Sequence, residues 1–154
     1  MNPEQQILAW LDDSLKTKEQ FTRAHTARIA AAAVSVADRV RRGGKVLLFG
    51  NGGSAADASH IAAEFVNRFK LDRPAWPAIS LCCDPATVTS IANDRAYDEI
   101  FSRQIEAFGG MNDVAWGIST SGDSETVVRG LKTARIRGSL TIASLGRDGG
   151  KISS

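Results

Sequence analysis

The sequence predicts an α/β fold: a three-layer α-β-α sandwich built on a parallel sheet, with helices at the N-terminus. Three observations predict it. The 154 residues are enough for one domain, 1–154, with a core of its own. Beyond about residue 43, short apolar runs alternate with stretches of helical spacing, the pattern of parallel strands joined by helical crossovers. Glycine-rich and hydroxyl-rich segments follow two of those runs, where such sheets bind their ligands.

Residues 1–43 read as a helical region. Ile7, Leu8, Leu11 and Leu15 recur at helical spacing, and so do Ile29, Ala33, Val36, Ala37 and Val40. A break near Arg23–Thr26 is expected to divide the region into two helices, and Gly43-Gly44 ends the second. These helices need something to cover, either their own sheet or a partner subunit.

The rhythm then changes. Lys45 to Phe49 is a buried strand, and Ser54 to Lys70 a helix with Ile61, Phe65 and Phe69 on one stripe. Pro77 to Cys82 is a second strand. Helical stretches near Ala86–Ala92 and Tyr97–Phe108 follow, then a third strand at Asp113–Ile118. Glu125 to Arg137 is a helix ended by Gly138, Leu140 to Leu145 a fourth strand, and Gly146 to Gly150 a turn.

Composition narrows the function. Hydrophobic residues make up 43% and charged residues 23%, ordinary for a soluble domain. Nineteen basic residues against seventeen acidic ones leave a charge of +2 and no basic block, which argues against a nucleic-acid partner. No stretch is long and apolar enough to span a membrane, and the polar start lacks a signal-peptide pattern. Cys82 and Cys83 are adjacent, without zinc spacing or a disulfide framework. They read as small buried core residues in a protein of the reducing cytoplasm.

Three features carry chemistry. Gly50-Asn51-Gly52-Gly53-Ser54 joins the first strand to its helix. Its glycines let the backbone approach a ligand, and the helix start offers free N–H groups to a phosphate. Such a loop can also be a plain tight turn. Gly50, Gly52 and Ala55 fit a dinucleotide-binding pattern as well, with Asp84 as its acidic residue, though farther along than usual. Ser119-Thr120-Ser121-Gly122-Asp123-Ser124 follows the third strand. Its four hydroxyls exceed the need of an N-cap, and with backbone N–H groups they make a neutral phosphate cradle. A dinucleotide domain does not need that loop, so it favours a sugar phosphate. Finally, His60 and Glu64 stand four apart on the first loop's helix, on one face, and both can lean toward the ligand end of the sheet. The pair suits a shared divalent metal, proton transfer, or an ordinary surface contact.

With those motifs, and with Ala92-Asn93-Asp94 between them, the chain closely resembles phosphoheptose isomerase, a sugar-phosphate isomerase (SIS) domain family, over nearly its whole length. The resemblance implies a flavodoxin-like sandwich, assembled as a homotetramer with active sites between subunits. It implies interconversion of sedoheptulose 7-phosphate and D-glycero-D-manno-heptose 7-phosphate, at the head of heptose synthesis for lipopolysaccharide or surface glycans. By matching positions, Asn51, Gly52, Gly53, Ser54, Glu64, Asn93, Asp94, Ser119, Thr120, Ser121 and Ser124 would bind substrate. Glu64 would be the catalytic acid/base residue, and His60 and Glu64 would hold zinc in the metal-binding members.

The sequence departs from the family pattern at one end. The family's last helix carries a Gln and a His that complete the site, and it follows a fifth strand. This chain ends at Ser154 without either, and its other histidine, His25, does not match. The expectation is a portion of a longer protein rather than a truncated, inactive domain. Other function classes stay open. A related non-catalytic adaptor binds the bacterial replication initiator and shares Ala92-Asn93-Asp94-Arg95, but lacks the helical carboxylate kept here as Glu64. Sugar-phosphate-sensing SIS domains are usually fused to a DNA-binding domain, and none is present here.

Overall fold

Four apolar runs form one parallel sheet in this computed structural model, which describes residues 2–153. The elements are α1 (Pro3–Arg41), β1 (Val46–Gly50), α2 (Gly53–Val66), β2 (Ala78–Ser80), α3 (Pro85–Asp94), α4 (Ile100–Phe108), β3 (Val114–Ser119), α5 (Glu125–Ile136), β4 (Leu140–Leu145) and α6 (Gly150–Ser153). A single 3₁₀ turn, Tyr97–Glu99, precedes α4. The strand order is β2-β1-β3-β4, all parallel, with Val46 opposite Ala78 on one side and Val114 on the other. This is the start of the flavodoxin-like order.

The alternation of a strand's side chains divides the core in two. Leu47, Phe49 and Ala115 face one way, against Ile91 of α3, Ile100, Phe101 and Ile105 of α4, and Val127 and Leu131 of α5. Val46, Leu48, Val114 and Ile118 face the other way, against Ala58 and Ala62 of α2 and Val36 in the last turns of α1. Helices therefore lie on both faces of the sheet, as expected. Each fully buried Leu or Phe contributes about 1.5–3 kcal/mol. Below the sheet, Lys45 Nζ meets the buried Asp113 carboxylate at 2.8 Å, and the Lys45 N–H donates to its other oxygen. This ties the amino ends of β1 and β3 together.

The chain falls into two compact units, residues 1–35 and 36–154. The described part of the first unit is helix throughout from Pro3, and Ile7, Leu8, Leu11 and Leu15 are all more than half exposed.

The structure corrects four expectations. The break at Arg23–Thr26 is absent, because no glycine or proline interrupts residues 4–42. Arg23 instead pairs with Glu19 at 2.8 Å and the Thr26 hydroxyl donates to the Thr22 carbonyl, both on the helix's own spacing. The helix expected to reach Lys70 stops at Val66. Arg73 occupies the Glu64 and Phe65 carbonyls at 2.7 and 2.9 Å, the acceptors a further turn would need. The second strand shrinks to Ala78–Ser80, since Pro74 and Pro77 cannot donate to a ladder and the chain turns after Leu81. As a result Cys82 is half-buried and Cys83 exposed, rather than both buried.

Candidate active site

The parallel order places a crevice where the chain's path reverses. From β1 the chain moves to β2 on one side, then crosses to β3 on the other, so the carboxyl ends of β1 and β3 diverge into loops. A recess of about 100 Å³ lies there, lined by Asn51, Ser54, Ile118, Ser119, Thr120, Ser121 and Ser124. A larger groove of about 310 Å³ runs along α3 and α4 between Thr87 and Phe108, but no loop at a strand's carboxyl end contributes to it. The smaller recess gathers residues of the glycine-rich and hydroxyl-rich loops singled out in the sequence.

Two local constraints shape the recess. Gly50 ends β1 where a Cβ would press within 2.8 Å of both the Ile118 carbonyl and Ser54, so only glycine lets the two loops approach. Gly122 has φ 73°, and a Cβ there would overlap the Gly149 carbonyl. The second loop is thus fixed by close backbone packing. Ser119 Oγ accepts the Gly122 N–H at 3.1 Å and Ser121 Oγ accepts the Asp123 N–H at 3.1 Å, folding the loop over the start of α5. Ser124 precedes α5 but its side chain makes no cap bond to the helix. It turns instead to Asn51, whose amide Nδ2 donates to Ser124 Oγ and Thr126 Oγ1, both at 2.7 Å.

Six of the expected substrate residues, Asn51, Ser54, Ser119, Thr120, Ser121 and Ser124, are therefore brought together, with Gly52 and Gly53 exposed at the adjoining start of α2. Asn93 and Asp94 close α3 on the surface, bonded to each other at 2.8 Å, outside the walls of the recess. Tyr97, just beyond them, donates from its hydroxyl to Asn51 Oδ1 at 3.2 Å. Sequence reasoning missed Tyr97 and Thr126. Thr126 had a signal, a further hydroxyl right after the serine loop, but Tyr97 had none.

His60 and Glu64 are placed elsewhere. Glu64 lies in the last turn of α2, roughly 15 Å along the helix from Ser54 at 1.5 Å per residue. The neighbouring Phe65 carbonyl accepts the Trp76 N–H at 3.1 Å, two residues before β2 begins. Glu64 is thus level with the amino end of β2, and the lean expected of it toward the ligand end is corrected: α2 runs antiparallel to the strands and carries Glu64 away, while Ser59, next to His60, still meets Ser80 and Cys83 at the other end of β2. His60 Nε2 stands 3.7 Å from Glu64 Oε1, with His60 well exposed. Glu64 Oε2 is buried and has no hydrogen-bond partner among the described residues. The pair offers one nitrogen and one carboxylate, half of a four-coordinate zinc shell. Among the described residues no group of three or more potential ligands is assembled. This donor set alone does not hold zinc.

Titration is shifted along the edge beside β2. Burial pushes the Cys82 thiol up. Hydrogen bonds from Ser59 and Ser80 hold the exposed Cys83 thiol below its ordinary value. The Thr87 hydroxyl, followed by backbone N–H groups of Thr87 and Ala86, holds the Asp84 carboxyl low, where it caps α3. Asp84 is thus committed as an N-cap, which removes it as the acidic partner of a dinucleotide site.

Comparison with known proteins agrees with this geometry. The SIS domain family model matches residues 9–146. A phosphoheptose isomerase of Thermodesulfovibrio yellowstonii is 48% identical over 152 residues, covering 99% of this chain and 76% of that protein. One from Aquifex aeolicus is 50% identical over 140 residues, covering 91% of this chain and 73% of its own length. The solved phosphoheptose isomerase of Neisseria gonorrhoeae superposes with a TM-score of 0.91 at 37% identity, over 99% of this chain and 79% of that one. That of Francisella tularensis gives 0.94 at 34% identity, over 99% and 80%. The chain belongs to the SIS domain family, among its phosphoheptose isomerases.

Proposed function

We propose that this chain interconverts the ketose and aldose forms of a phosphorylated seven-carbon sugar, sedoheptulose 7-phosphate and D-glycero-D-manno-heptose 7-phosphate. The observation that carries the proposal is the neutral cradle at the β1–β3 crevice. Hydroxyls of Ser119, Thr120, Ser121 and Ser124 converge with Asn51 and Ser54 at the starts of two helices, where N–H groups and the helix dipole favour an anion. A phosphate held there orients the sugar at a distance from its reacting carbons.

Moving the carbonyl from C2 to C1 removes a proton from one carbon and returns one to its neighbour through an enediol(ate). A carboxylate is suited to that transfer, and Glu64 is the one offered. Its buried Oε2 has no hydrogen-bond partner among the described residues and is available to an incoming proton. The cradle and Glu64 occupy opposite ends of α2, which supports the arrangement expected of the family, with sites between subunits of a homotetramer. The exposed apolar stripe of Ile7, Leu8, Leu11 and Leu15 supports self-association of that kind. His60 and Glu64 would give zinc two of its donors, and no step is assigned to the metal. No helix among the described residues is long and apolar enough to cross a membrane, and both cysteines are free thiols, in keeping with a cytoplasmic setting for heptose synthesis.

An isomerase assay with sedoheptulose 7-phosphate, run beside a binding titration, tests the proposal. Aldose product is the expected result. Tight binding with no product under any metal condition would favour a sensing domain or an adaptor instead.

A further inference from the structure

We propose that Tyr97 is a positioning residue for the phosphate cradle, acting through Asn51 to keep the Ser124 hydroxyl aimed as a donor; the inference rests on the sugar-phosphate function proposed above. An Asn side chain has one accepting and one donating end, and its neighbours decide which way it points. Here Oδ1 faces the Tyr97 hydroxyl at 3.2 Å, while Nδ2 faces Ser124 Oγ and Thr126 Oγ1 at 2.7 Å each.

That orientation has a consequence for the two hydroxyls. Each accepts from the amide, so neither proton is drawn toward Asn51. Thr126 is buried and stands 3.3 Å from Ser124 Oγ, close enough to donate to it. Either hydroxyl can donate in that pair; with Thr126 as the donor, Ser124 Oγ accepts twice and its own proton is left for the recess. An anion in the recess needs donors, and this is one. With the amide reversed, Oδ1 would accept from both hydroxyls and the cradle would lose that donor. The Tyr97 hydroxyl, donating to Oδ1, holds the productive orientation.

The placement of Tyr97 fits such a role. It opens the 3₁₀ turn that follows Asn93 and Asp94 after Arg95 and Ala96, and its bond to Asn51 joins that region to the recess. The turn is itself braced. Glu99 meets Arg95 at 3.0 Å and Arg129 of α5 at 3.8 Å. Tyr97 is 56% exposed as a residue and is not part of the buried core. An exposed hydroxyl with one directed bond to a site amide is better explained by orientation than by packing.

The test is a double-mutant cycle read by affinity for inorganic phosphate and for sedoheptulose 7-phosphate. Tyr97→Phe is expected to weaken both by about five- to tenfold, the loss of one hydrogen bond's effect, and to raise KM with little change in kcat. The thermal midpoint should stay where it is. In an Asn51→Ala background the same Tyr97→Phe change should have no further effect, because Tyr97 acts only through that amide. Unchanged affinity in Tyr97→Phe, with a wild type that binds, would overturn the inference alone. So would an equal loss in both backgrounds. A wild type that binds neither ligand would overturn the proposed function together with it.

Discussion

The two ends of helix α2 are built to opposite standards. At its start, the polar side chains of the recess are paired in a network that runs from Tyr97 through Asn51 to Ser124 and Thr126, and the next loop is folded by its own serines. At its end, Glu64 keeps a buried oxygen with no partner, beside an exposed histidine 3.7 Å away. A buried, unpartnered carboxylate oxygen costs stability, and natural structures keep few of them. On the proposed reading, the anion cradle is assembled at one end of α2 and the acid/base carboxylate is left unpartnered among the described residues at the other. Binding and turnover should therefore separate cleanly under mutation.

The largest effect is expected at Glu64. Glu64→Gln should lower kcat by roughly 10²- to 10⁴-fold, the usual worth of a general acid/base, while sugar-phosphate affinity stays within about twofold. Steady-state kinetics beside calorimetry check this, and retained turnover would remove Glu64 from the mechanism. The pairing of distant ends sharpens the comparison. If Glu64 of one copy serves the cradle of another, mixing Glu64→Gln with a Ser121→Ala/Ser124→Ala variant should restore up to about a quarter of the wild-type rate by random assortment.

Next in size is the cradle itself. Gly122→Ala forces a side chain into a backbone with φ 73° and against the Gly149 carbonyl. A loss of about 1–3 kcal/mol of stability is expected, with phosphate affinity falling alongside it. Chemical denaturation and calorimetry measure the two together. A variant that loses stability but keeps its affinity would show that the loop's shape is not what binds the anion.

The smallest effect lies beside the site, at the cap of α3. Hydrogen bonds hold the Asp84 carboxyl below its ordinary value in the folded chain. Its stabilising contribution is therefore present above the unfolded value and lost as pH falls through the folded one. Asp84→Ala should lower the thermal midpoint by a few degrees at neutral pH, and the gap should close in acid. A gap that is constant down to acid pH would remove the charged cap from the account.

Much of this architecture was legible before any coordinates. Runs such as Val46–Phe49 and Leu140–Leu145 are strands because they are short, apolar and bounded by glycine or polar turns. The two loops stood out because glycines and hydroxyls cluster after strands there, although the glycine loop alone also fitted a tight turn or a dinucleotide pattern. What stayed hidden depends on long-range partners. Arg73 ends α2 by taking two carbonyls from it, and no local pattern announces that. The direction of α2 decides where Glu64 goes, and helical spacing shows only that His60 and Glu64 share a face. Tyr97 reaches Asn51 across 46 residues, a contact no spacing rule finds.

The recess at the β1–β3 crevice is the proposed anion site. Titrating inorganic phosphate into the isotopically labelled protein, and following each backbone amide, tests it most directly. The largest shifts are expected at Gly52 to Ala55 and at Thr120 to Thr126, with Glu64 unmoved. Shifts gathered instead around surface arginines, with those two loops silent, would contradict it.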